Sequence, residues 1–426
     1  MPLLSIWKTN PAAVAELSVQ VLVGMAGDGR LLDGSECSRE LRTYLSEVTS
    51  EKLEEYVDHC LSASFPDSGK VLQDLVNELG RRLDFVVTDG LYQGRKGLIG
   101  YDGLWKTPEG NSLIVEVKTT DAYRISLDTV ARYRHRLLDT REVSDRSSIL
   151  IVVGRQDTGE LEAQVRGSRH AWDVRLISTD ALVSLVKLKE STEEQETVEK
   201  IRSVLAPVEY TKLDALVDVM FTTAKDVESA VDSEVEELND DEAPVRQRGS
   251  WHFTDKELLQ VKREAIVGAM AVRENTKLIR KSRALYWNTA HDIRIACSVS
   301  KLYTKQGAYP YWYAYHTRWH DFLGEGRSGF YVLGCMDLNI AFSIPRNVMS
   351  GLLPYFNTTT PSDDPNRRYW HIHVVEERAK TYALLLPKKP GTLPLADYTV
   401  TLQDQYPGAE ACRPQDSGAS RPHVEG

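Results

Sequence analysis

Glu116 and Lys118 stand two apart in the apolar run LIVEVK, residues 113–118. In a strand, alternate side chains point to one face, so this acid and this base share a side. Ringed by Leu113, Ile114, Val115 and Val117, the two charges are costly to bury unless they pair or bind something. Upstream, the segment IGYDGLW puts Asp102 at the end of a strand beside glycine, and KTPEGNS supplies a hairpin-type turn. Two antiparallel strands joined in this way bring Asp102 close to Glu116. Neighbouring carboxylates repel, and both stay ionised cheaply only beside a cation. Oxygen donors suit Mg²⁺ or Mn²⁺, and such an ion polarises a phosphodiester and lowers the pKa of a bound water. Lys118 would then orient the attacking water or stabilise charge on the phosphate. The plain rival is a surface Glu–Lys pair on an edge strand, worth little to stability.

The elements that must position these residues are readable from periodicity. SGKVLQDLVNELGRRLDF has a helical stripe of Val71, Leu72, Leu75, Val76, Leu79 and Leu83, with Ser68 as its N-cap. FVVTDGLY, GLIGYDGLWKT and SLIVEVKTT read as strands, SLDTVARYRHRLLDT as a helix, SSILIVVG and WDVRLIS as strands, and TDALVSLVKLKE as a helix capped by Thr179 or Asp180. The alternation predicts an α/β (α+β) unit with a mixed sheet.

Asp102, then a turn, then Glu116-x-Lys118 ending an apolar strand, then a helix, resembles the PD-(D/E)xK phosphodiesterase superfamily over about residues 68–190. Tyr101 stands where the family's name has proline. The resemblance implies a restriction-endonuclease-like mixed sheet flanked by helices, and a Mg²⁺- or Mn²⁺-dependent endonuclease. Asp102 and Glu116 would hold the metal and Lys118 would assist the water. In this superfamily the preceding helix often adds an acidic residue or a glutamine. The candidates here are Gln73, Asp74 and Glu78, with Gln73 and Glu78 ranked together. Tyr133 and Arg132 on the following helix, and Arg166 and Arg169 beyond it, are further candidates for facing the site or the DNA backbone.

The rest of the chain sets the context. With 426 residues, two to three domains are expected. The reading is residues 1–190 as a nuclease domain with an N-terminal helical extension, 191–248 as a helical then acidic, disordered linker, 249–402 as a basic, aromatic recognition domain, and 403–426 as a flexible tail. The recognition domain is expected to be a separate, β-rich α+β unit. Net charge is −10, yet residues 249–389 carry 20 Lys and Arg against 12 Asp and Glu, so the acidic total hides a basic part. Lys277, Arg280, Lys281 and Arg283 are candidates for phosphate contact, and Trp312, Tyr313 and Arg318 for stacking on bases. Zinc at His316, His320, His371 and His373 is disfavoured, because no cysteine or carboxylate completes a familiar spacing. Five scattered cysteines, no apolar run of membrane length and no leader pattern point to a cytoplasmic protein. The expected function is DNA cleavage, with restriction or antiviral defence as its setting and a homodimer as its natural form. A modified base or small molecule is the alternative ligand for the C-terminal part. The rival functions are a ligand-gated nuclease or RNase, and an inactive nucleic-acid-binding protein on the same fold.

Overall fold

A computed structural model describes residues 3–63, 65–94, 98–119, 125–154, 159–192, 195–205, 256–303, 309–360 and 368–402. The fold is α+β. Among the described residues, one compact unit takes in 3–205 with 280–283, and a second takes in 256–279 with 284–402.

The first unit opens with helices α1 (Leu3–Thr9), α2 (Pro11–Ala15), α3 (Val19–Met25), α4 (Glu36–Glu47), α5 (Ser50–Ser62) and α6 (Ser68–Arg82). There follow β1 (Val86–Asp89), β2 (Gly103–Lys106), β3 (Ser112–Lys118), α7 (Leu127–Asp139), β4 (Ser147–Val153), α8 (Gly159–Arg166), β5 (Val174–Ser178), α9 (Thr179–Ser191) and α10 (Gln195–Leu205). The strands form one mixed sheet in the order β1-β2-β3-β4-β5, antiparallel from β1 to β3 and parallel from β3 to β5.

Period-two alternation along β3 sorts its side chains between two cores. Leu113, Val115 and Val117 join Leu150 and Val152 in a core with α1 to α6, α9 and α10. Ile114 joins Ile149, Ile151 and Val153 in a core with α7 and α8. Glu116 and Lys118 continue the Ile114 row and therefore face α7. The stripe on α6 packs directly on β2. A Cβ on Gly80 would come within 2.6 Å of the Trp105 ring, so glycine lets the helix lie this close.

Several expectations are corrected. Ser68 is the first helical residue of α6 rather than its cap; the cap position is Asp67, in the left-handed region at φ 65°. Ser178, not Thr179 or Asp180, caps α9 by accepting from the Ala181 amide. The N-terminal helices are no extension, since Leu3, Trp7, Leu22, Leu41 and Tyr56 lie in the shared core. The boundary at 190 falls too early, because Ile201 and Leu205 of α10 are buried in that same core. Residues 206–248 of the expected linker and 403–426 of the expected tail lie outside the described residues.

The second unit holds α11 (Lys256–Arg273), β6 (Ile279–Arg280, of which Arg280 groups with the first unit), β7 (Leu285–Trp287), β8 (Ile293–Ser300), β9 (Tyr311–His316), α12 (Thr317–Gly324), β10 (Ser328–Cys335), β11 (Ile340–Pro345), α13 (Arg346–Leu352), β12 (Thr358–Thr359), β13 (Tyr369–Arg378), β14 (Thr381–Leu385), β15 (Thr392–Pro394) and β16 (Thr399–Thr401). One sheet runs β16-β11-β10-β8-β7-β6, with β8 and β10 parallel. The other runs β12-β13-β14-β15, with β9 paired to β13. Ile295, Cys297 and Val332 of the first of these sheets pack on Ile266 and Met270 of α11. Its opposite face, through Tyr331, Leu333 and Phe342, packs with Tyr313, Ile372 and Leu384 of the second sheet.

Candidate active site

Asp102 immediately precedes β2, whose first residue Gly103 pairs with Val115 of β3. Extending that register by one residue sets Asp102 across from Glu116. The backbone holds Asp102 firmly. Its amide donates to the Val115 carbonyl at 3.0 Å, and its own carbonyl accepts from Gly90 N, Gln73 Nε2 and Asn77 Nδ2, each at 3.0 Å. Its carboxylate oxygen Oδ2 accepts from the Val117 amide at 2.7 Å.

On β3, Lys118 Nζ donates to Glu116 Oε1 at 2.6 Å. The other carboxylate oxygen, Glu116 Oε2, is buried with no hydrogen-bond partner among the described residues. A buried anionic oxygen without a donor is costly. Burial, and next the charge of Glu116, raise the pKa of Asp102 from an ordinary 3.8 to about 7; the Val117 amide and Lys118 only partly oppose this. Burial works against the charge on Lys118, but Glu116 and Asp102 outweigh it and raise its pKa. The sequence-predicted trio is thus brought together on one side of one hairpin. Tyr133 of α7 completes the surroundings. Burial raises its phenol, with the charges of Glu116 and Asp102 adding to the effect.

These donors suit a hard divalent cation. Glu116 Oε2 is orphaned, Asp102 is held opposite, and both are carboxylates, the ligand type Mg²⁺ takes one or two of while keeping its waters. Among the described residues no group of three or more His, Cys, Asp or Glu is placed to hold a metal.

The α6 candidates separate. Gln73 reaches the site through the Asp102 carbonyl. Asp74 points away, to Arg42 Nε at 2.9 Å and to the Tyr92 hydroxyl, and burial raises its pKa to about 6. Glu78 is corrected as a site residue: its Oε1 takes Arg82 Nε at 3.0 Å and its Oε2 takes Arg81 Nη1 at 3.5 Å, ion pairs inside the helix layer. Asn77 escaped sequence reasoning. It lies one turn beyond Gln73 on the same face of α6, and that i, i+4 polar pair inside an apolar helix was its signal.

The seven positions expected to meet nucleic acid are placed differently. None is fully exposed. Residues 280–283 group with the first unit, where Lys281 Nζ lies 3.6 Å from Asp84 Oδ2, so Arg280, Lys281 and Arg283 do not belong to the second unit as expected. Tyr313 is core: its hydroxyl donates to the Gly334 carbonyl at 2.9 Å, a correction forced by the strand alternation that buries Tyr311, Tyr313 and Tyr315 together. Trp312 is half-buried and donates from Nε1 to His371 at 3.4 Å. Arg318 has a buried Nε, and Lys277 is half-buried. His316 ends β9 while His320 lies on α12, so the two do not share a helix face.

No protein-family model matches the chain, and no curated protein matches its sequence.

Proposed function

We propose that the first unit is a metal-dependent nuclease of the restriction-endonuclease-like class, hydrolysing phosphodiester bonds in DNA. The observation that carries this reading is the Oε2 of Glu116, buried without a hydrogen-bond partner among the described residues, across from an Asp102 whose carboxyl burial, and next the charge of Glu116, push toward neutrality. Such a pair is unfavourable by itself and is relieved by a cation. The order α6-β1-β2-β3-α7-β4 and the mixed sheet support the class assignment, as does the place of the trio at the end of the β2–β3 hairpin. Asp102 and Glu116 would hold Mg²⁺ or Mn²⁺. When bound, the ion supplies Lewis-acid polarisation of the phosphate and an acidified water. Lys118, which donates to Glu116 Oε1 at 2.6 Å, would donate a hydrogen bond to the attacking water or to a phosphate oxygen. Gln73 and Asn77 fix the Asp102 backbone so that its carboxylate keeps its place. The second unit serves as the recognition half on the strength of its aromatic and basic composition, and cytoplasmic defence is the setting proposed.

The test is cleavage of plasmid, linear duplex and RNA with Mg²⁺, Mn²⁺ or EDTA. Wild-type protein should nick or linearise plasmid only with metal, and Lys118→Ala and Asp102→Ala should each lower the rate at least about 100-fold. Cleavage that survives both substitutions sinks the site. Cleavage of RNA alone replaces DNA as the substrate.

A further inference from the structure

The chain leaving β1 is anchored beside the site. Gly90, the residue after β1, donates its amide to the Asp102 carbonyl at 3.0 Å and so extends the β1–β2 ladder by one pair. The approach is close: a Cβ on Gly90 would lie 1.9 Å from the Tyr101 carbonyl oxygen, so only glycine fits there. Two residues on, Tyr92 is fixed through both its backbone and its side chain. Its amide donates to Asp33 Oδ1 at 2.7 Å, and its hydroxyl donates to Asp74 Oδ2. Arg42 and Lys70 lie over its ring, 5.1 Å and 5.9 Å from the centroid. The acceptor, Asp74, is 1 % exposed and follows Gln73 on α6. Arg42 of α4 spans from Asp74 Oδ1, at 2.9 Å, to Asp89 Oδ2 at the end of β1, at 3.5 Å. Burial raises the Asp74 carboxyl to about 6, with Arg42 and the Tyr92 hydroxyl opposing, so above that pH it is the charged acceptor that both donors need. Helix α6 therefore grips the site twice. Gln73 and Asn77 hold the Asp102 carbonyl directly, and Asp74 holds the chain whose amide shares that carbonyl.

We infer that Tyr92 is a positioning residue for Asp102. Its hydroxyl, anchored on Asp74, pins the chain just beyond Gly90 and keeps the Gly90 amide on the Asp102 carbonyl, so that the Asp102 carboxylate stays opposite Glu116. Tyr92 acts through Gly90 and not by contact with a reacting group. Partners that orient a ligand from behind are worth as much to a metal site as many direct contacts, because a carboxylate that wanders binds a cation poorly. The inference rests on the reading of Asp102 and Glu116 as a cation site for what the positioning serves. The anchor itself is measured without metal.

The test compares the full wild-type chain with Tyr92→Phe, which keeps the ring and removes only the hydroxyl. Amide hydrogen exchange is followed in EDTA at neutral pH, and Mn²⁺ is titrated by calorimetry. In Tyr92→Phe the Gly90 amide should exchange about tenfold faster and Mn²⁺ should bind about tenfold more weakly. The amides of β4 should keep their wild-type rates, because a mere loss of stability would speed exchange across the whole sheet. Arg42→Lys keeps the charge but gives up the fork that spans Asp74 and Asp89, so it should move both quantities the same way, and it serves if Tyr92→Phe melts early. Wild-type exchange at Gly90 in the variants, or a rise shared equally by β4, overturns the inference. So does faster Gly90 exchange with unchanged Mn²⁺ affinity. Faster exchange confined to Gly90 in a chain whose wild type binds no Mn²⁺ upholds the anchor and removes the cation reading of the site.

Discussion

The carboxyl of Asp102 holds its proton to about pH 7 because burial and the facing Glu116 both disfavour its charge. In the unfolded chain the same group ionises near pH 4. Between those values the folded state binds more protons, so stability falls as pH rises. The contribution is complete below about pH 4 and is lost by the time pH passes about 7. In EDTA, urea midpoints of the wild type should fall over that window more steeply than those of Asp102→Asn. Asp74, raised to about 6, adds its own slope to both proteins and drops out of the comparison. Parallel pH curves for the two proteins would show that Asp102 carries no such shift. The Glu116–Lys118 pair was legible, since a two-residue spacing in an apolar strand fixes a shared face without any tertiary knowledge. Glu78 was not. Its fate was decided by Arg82 four residues on, a local pairing that sequence offered but that the resemblance overrode.

At the scale of elements, α6 is the clamp on β2. Asn77 uses both ends of its amide: Nδ2 donates to the Asp102 carbonyl and Oδ1 accepts from Trp105 Nε1 at 2.9 Å. Trp105 is fully buried, so Asn77→Ala leaves its indole N–H without a partner, at a cost of about 1–3 kcal/mol. A thermal melt should register a clear fall in Tm, and an unchanged Tm would show that the clamp carries no weight. The close fit extends to Gly103, where a Cβ would come within 2.2 Å of Asn77 Oδ1. The apolar stripe of α6 was readable because helical period alone specifies it. Its polar partners were not, because which polar side chain meets Asp102 depends on where the helix sits along β2. The same limit applies to β9: dense aromatics drew attention as a binding surface, whereas the alternation of Tyr311, Tyr313 and Tyr315 marked them as one buried row.

At the scale of the molecule, α10 changes where the first unit ends. Ile201 and Leu205 are buried in its core, and Arg202, 2 % exposed, pairs with Glu109 and lies 3.8 Å from Asp84. A chain cut after Glu190 should lose roughly 5 kcal/mol relative to one cut after Leu205, from two or three apolar side chains each worth about 1.5–3 kcal/mol, and leave Glu109 unpaired. Paired denaturation curves test this; equal stabilities would return the boundary to 190. Sequence reading set the division early because the helical spacing after 190 does not say which core that helix packs on, and a buried arginine gives no local sign of its partners. Glu109 sits in the turn that joins β2 to β3, the same two strands that display Asp102, Glu116 and Lys118. The hairpin is thus tethered at its tip by the last turn of chain before residue 206. Loss of Arg202 therefore acts on the turn end of the hairpin, while Asp102, Glu116 and Lys118 stand at its opposite, open end.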